Sequence, residues 1–121
     1  MSLALSAAAI FAAVICLIHV IAGGREVHVP IQAHGLPPGL RAISAVLWHA
    51  VTVILIVMAG ATAWLAMRPE PGLAVALIAI CLGWAGLFVW YGLRQLGTVR
   101  DMPQWGLFLA LAGLIGWGMW G

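Results

Sequence analysis

Four apolar runs separated by short polar breaks dominate this chain, and their lengths constrain its fold more than any other feature. The runs cover residues 3–22, 42–67, 73–93 and 105–120. At about 1.5 Å of rise per residue, twenty helical residues cross the ~30 Å hydrocarbon core of a bilayer. Backbone in hydrocarbon has to satisfy its own hydrogen bonds, which a helix does within one segment. The expected fold is therefore all-α, an integral membrane bundle of four antiparallel transmembrane helices forming a single domain over residues 1–121. Composition agrees, with 65% of residues hydrophobic and 7% charged and a mean hydropathy of +1.16. The breaks are Gly23-Gly24-Arg25, the helix-stopping Arg68-Pro69-Glu70-Pro71-Gly72, Arg94-Gln95, and Asp101-Met102-Pro103-Gln104. The first run lacks the basic stretch that opens an export signal and is long enough to span, so it reads as a retained helix.

Charge is scarce enough to be informative. The basic residues are five arginines with no lysine, against three acids, Glu26, Glu70 and Asp101. That is too little positive charge for a nucleic-acid surface. With four spans, Arg25, Arg41, Arg94 and Arg100 share one side and Arg68 stands alone on the other, so the arginine bias assigns the 23–41 and 94–104 connections to the cytoplasm and both termini to the periplasm. Trp64, Trp105, Trp117 and Trp120 near span ends suit an interfacial aromatic belt, whereas Trp48, Trp84 and Trp90 lie further in. Gly83, Gly86, Gly113, Gly116 and Gly118 offer small surfaces for close helix approach.

Polar side chains at membrane depth are costly and mark functional candidates. His19 and His49 fall at similar depths near the cytoplasmic ends of the first two spans, where antiparallel neighbours would bring them to one level. Cys16 lies on the His19 face and Thr52 on the His49 face, each at i, i+3 spacing. His28 and His34 fall in the connection between these spans, a proline-bearing segment expected to be an ordered interfacial cover. Imidazoles facing each other from adjacent helices suit a transition metal ion or a haem. For haem the axial pair would be His19 and His49, with Arg25 or Arg41 near the propionates. For a bare metal ion, His28, His34, Glu26 or Cys16 would complete the shell around His19 and His49. No paired-ligand motif fixes two of these on one helix turn, and the bland alternative is a histidine that only hydrogen-bonds between helices. Cys16 and Cys81 sit in apolar runs and read as small hydrophobes rather than a disulfide.

The elements Ala22-Gly23-Gly24-Arg25-Glu26-Val27, Leu47-Trp48-His49-Ala50-Val51-Thr52 and Met102-Pro103-Gln104-Trp105 resemble those of small bacterial four-span membrane proteins of no assigned activity. The resemblance implies a bacterial inner membrane and transfers no reaction. The first two spans lack the central glutamate of small multidrug exporters and the Arg-and-Glu signature of the membrane-associated eicosanoid and glutathione enzymes. Two function classes follow. One is a His-lined site near the cytoplasmic face that serves redox chemistry or metal handling. The other is a non-catalytic accessory or assembly subunit of a larger membrane complex, or a homo-oligomer, joined through the glycine-bearing third and fourth spans in the lipid bilayer.

Overall fold

A computed structural model describes residues 2–121. Its described residues form four helices, α1 (Leu3–Ala33), α2 (Pro38–Met67), α3 (Pro71–Leu96) and α4 (Gln104–Trp120), with no strand. Three of them, α1, α2 and α3, are long and apolar enough to cross a membrane, and α4 is 17 residues long. Ser2 caps α1, its hydroxyl accepting from the Leu5 N–H at 3.4 Å. Pro38 and Pro71 stand at the first helical positions of α2 and α3, where a missing N–H costs nothing. Gly97 ends α3 in the left-handed conformation, at φ 70°, and Gly35 takes φ 79° in the turn between α1 and α2.

Each helix buries one seam at the alternating three- and four-residue spacing of packed helices. The seams are Leu5, Ala8, Ala12 and Ile15 on α1; Leu55, Met58, Thr62 and Leu65 on α2; Ala74, Leu77, Cys81 and Ala85 on α3; Phe108, Leu111, Ala112 and Ile115 on α4. α1 packs against α2 on one side and α4 on the other, α4 packs against α3, and α2 and α3 meet only lightly. Thr62, the fully buried polar residue of the core, donates its hydroxyl to the Met58 carbonyl at 2.7 Å and leaves nothing unpaired.

Gly118 stands close against the start of α1. A Cβ at Gly118 would lie 2.7 Å from Leu5 Cγ, a side chain with no exposure. Gly116 makes only ordinary contact, 3.9 Å from Ile78 Cδ1, and Gly83, Gly86 and Gly113 face open space. Of the five glycines expected to admit a neighbour, Gly118 alone does so closely within this chain.

The core is confined to one end of the bundle. No residue between Ile15 and Leu55 is buried, so the last half of α1 and the first half of α2 form a hairpin that packs mainly on itself. Here α1 departs from the expectation. It does not stop at Gly23-Gly24-Arg25 or open into a covering loop, but continues as π-helix from His19 to His28 and returns to α-helix over Val29–Ala33. Wider winding resolves the local chemistry: the Val29 N–H donates five residues back to the Gly24 carbonyl, and Pro30, which lacks an N–H, follows immediately.

Candidate functional site

The π segment determines which histidines meet. Nine residues separate His19 from His28; at the α-helical period of 3.6 they would stand on opposite faces. A π-helix has about 4.4 residues per turn, so nine residues make two turns and return to the same face. That face meets Trp48 of α2. The His19 imidazole stacks on the indole at 4.0 Å between centroids and 19° between planes, and the His28 imidazole lies nearly parallel to it at 5.4 Å and 12°. Because the two histidines are two helical turns apart, the indole lies between them. Gly23, one turn along from His19, leaves room for the edge of the ring: a Cβ there would sit 2.8 Å from Trp48 Cη2.

His19 is held in this arrangement by its ring face and its Nε2. The single proton of the Thr52 hydroxyl goes to the Trp48 carbonyl at 3.2 Å, so Thr52 Oγ1 is left to accept from His19 Nε2 at 2.9 Å. That assigns the Nε2–H tautomer to His19 from the network around it. With its face on Trp48 and its Nε2 committed to Thr52, His19 reads as a strut between α1 and α2.

His28 is different. Its Nδ1 is buried with no hydrogen-bond partner, and its ring meets the His49 imidazole edge to face, with centroids 5.2 Å apart and planes at 70°. His49 itself is exposed. The pair that forms across the hairpin is thus His28 with His49, where the sequence suggested His19 with His49. An error of helix winding explains the exchange, because a loop after Gly23 cannot present His28 to α2 and a π-helix does.

The remaining candidates stay apart from this cluster. Arg25, Glu26, His34 and Arg41 are exposed, and Cys16 is half-buried against the core. The Arg41 carbonyl accepts from the Gln32 side chain at 3.1 Å, which ties the two ends of the α1–α2 turn together. Among the described residues, no three of His, Cys, Asp and Glu come together in a group able to hold a metal ion. Trp48 and Thr52 are the partners that a search confined to metal ligands passes over. Their signal in the sequence is the i, i+4 spacing that puts both on the α2 face turned to α1.

Beside the cluster lies an open groove of about 400 Å³ between the end of α1 and the start of α2. Leu40, Ile43, Leu47 and Val51 form an apolar stripe along α2, Ile31 closes the α1 side, and His28, Ser44 and Trp48 supply its polar atoms. No arginine or acid lines it. Comparison with protein-family models, with curated proteins and with solved structures finds no match to this chain, in keeping with its resemblance to proteins of no assigned activity.

Proposed function

We propose that the chain is a four-span protein of the bacterial inner membrane whose α1–α2 hairpin holds a small ligand at an imidazole–indole site near the cytoplasmic face. The observation that carries this reading is the stacking of His19 and His28 on Trp48, with His49 meeting His28 and the Nδ1 of His28 left unpaired. A buried imidazole nitrogen without a partner costs about 1–3 kcal/mol, a penalty that a bound ligand can relieve. With four spans, the arginine bias puts both termini in the periplasm. Two arginine–tryptophan pairs at opposite ends support the membrane placement: Arg68 lies 5.3 Å from the Trp64 ring centroid and Arg94 lies 5.4 Å from that of Trp90. Along α3 the stretch between these ends is about 35 Å, close to the thickness of the hydrocarbon core.

A transition metal ion at this site would take its imidazoles from His28 and His49 and the rest of its shell from water or a second molecule. A haem axial pair of His19 and His49 would have to use the His19 Nδ1, since its Nε2 is committed to Thr52 and its ring face to Trp48. Absorption spectroscopy, elemental analysis and native mass spectrometry of the purified chain and of His28→Ala test the site directly. A ligand lost in His28→Ala and kept in His34→Ala is expected; wild-type protein that is colourless, metal-free and without bound mass in its native membrane lipid counts against it.

A second reading, the accessory or assembly subunit, draws on the unburied stretch between Ile15 and Leu55 and on the open glycines Gly60, Gly83, Gly86 and Gly113, all surfaces a partner helix could cover. Cross-linking in native membranes from cysteines placed at Gly86 and at Leu47 distinguishes the two: recovery of a defined partner at either position favours the subunit.

A further inference from the structure

We infer that the imidazoles of His28 and His49 bind one univalent copper ion between them, with no third ligand required from the chain. The inference rests on the proposed ligand site and names its occupant. It starts from a contrast between two histidines on one indole. His19 and His28 both lie nearly parallel to Trp48, but the His19 Nε2 is bonded to Thr52 at 2.9 Å while the His28 Nδ1 is buried with no partner. With its proton on Nε2, His28 keeps a lone pair on Nδ1, the form of imidazole that ligates metals. A second imidazole is at hand, since the His49 ring centroid lies 5.2 Å away. Two rings that share an ion at about 2 Å from each nitrogen have centroids about 5–6 Å apart. His49 is exposed, so its ring is free to turn a nitrogen toward the ion. The donor set then selects the metal. Among the described residues, no third His, Cys, Asp or Glu completes a metal-holding group with this pair. Zinc is almost always four-coordinate, and calcium and magnesium take six or more oxygens, so each would draw most of its shell from outside the chain. Copper accepts imidazole, and in its univalent, closed-shell state two nitrogens suffice. Charge points the same way: both donors are neutral, Glu26 on the same π segment is exposed, and a doubly charged ion beside apolar ring faces would keep its whole charge uncompensated.

The test uses the full chain in lipid nanodiscs with its histidines labelled with nitrogen-15, titrated in chloride-free buffer with silver(I), the redox-inert probe of univalent copper, and separately with zinc(II). Silver is expected to shift the His28 and His49 ring signals together, saturably and with one midpoint, at a concentration at least tenfold below that of zinc. Because the signals are read residue by residue, silver taken up by a cysteine thiol does not enter the measurement. His49→Ala, at an exposed position, is expected to weaken silver binding at His28 at least tenfold with the helical content unchanged, and Cys16→Ala and His34→Ala to leave it as it was. Equal midpoints for silver and zinc, or a His28 response untouched by His49→Ala, overturns the inference. If silver moves neither ring while native mass spectrometry finds another ligand that His28→Ala loses, the ion is wrong and the site stands. If silver moves neither ring and no such ligand is found, both readings fall.

Discussion

Gly23→Ala tests whether the stack on Trp48 holds the hairpin together. An added methyl at Gly23 would lie 2.8 Å from Trp48 Cη2, closer than carbon atoms approach, and 3.4 Å from Cζ2. Such a clash is inexpensive when a side-chain tip can swing aside, but this indole is held between His19 and His28 and cannot move without opening one stack or the other. Overpacking of this kind costs about 1–3 kcal/mol. The same substitution gains about 0.5–1 kcal/mol by removing a glycine from a helix, which partly hides the cost. Gly24→Ala isolates the gain, because nothing lies within 4 Å of a Cβ there. The difference between the two variants is therefore about 1–3 kcal/mol, with Gly24→Ala the more stable. Reversible unfolding in mixed micelles by added sodium dodecyl sulfate measures it, and the ring signals of His19 and His28 report the stack. A Gly23→Ala protein as stable as Gly24→Ala, with unchanged imidazole signals, would refute the packing described for α1 and α2.

Other outcomes follow from the same contacts. Thr52→Val should destabilise the hairpin by about 1–3 kcal/mol, since it strands the His19 Nε2–H, whereas Thr52→Ser should retain most of the stability; equal unfolding curves for all three proteins would remove His19 from its role as a strut. Gly118→Leu should disrupt the bundle, its side chain colliding with Leu5, while Gly113→Leu should leave the folded monomer intact; circular dichroism and size in detergent read both, and the opposite order would contradict the α1–α4 contact. A reporter fused at the C-terminus that is active only in the cytoplasm should stay silent, and its activity would reverse the orientation drawn from the arginines.

Much of the architecture was legible because long apolar runs reduce the problem to apolar length. Four runs and the proline-bearing turn at 68–72 locate four helices, and the buried seams recur at the spacing any packed helix shows. What the runs do not encode is which face of each helix is buried, as the glycines illustrate. In lipid an outward glycine is as acceptable as an inward one, so Gly83, Gly86 and Gly113 look the same in sequence as Gly118, and only the chain's own packing separates them.

The candidate site was half legible, for a reason specific to one segment. The sequence placed His19, His49 and Thr52 along the first two runs, and in the structure His19 meets Thr52 while His49 meets His28. Azimuth failed, because every helical reading assumes 3.6 residues per turn and reads Gly23-Gly24 followed by Pro30 as the end of a helix. Two glycines lower the steric cost of unusual winding, and a proline removes the N–H that α-helical continuation would have required from it. Those residues favour π-helix as much as they favour a break, and the choice between the two outcomes falls to the tertiary contact. Trp48 stacks on both imidazoles only when nine residues span two turns, so the ring on α2 and the winding of α1 stabilise each other. The consequence is a division among the histidines that spacing alone reverses: His19 is tied to Trp48 and Thr52, and His28, expected in a loop, is the one whose buried Nδ1 has no partner.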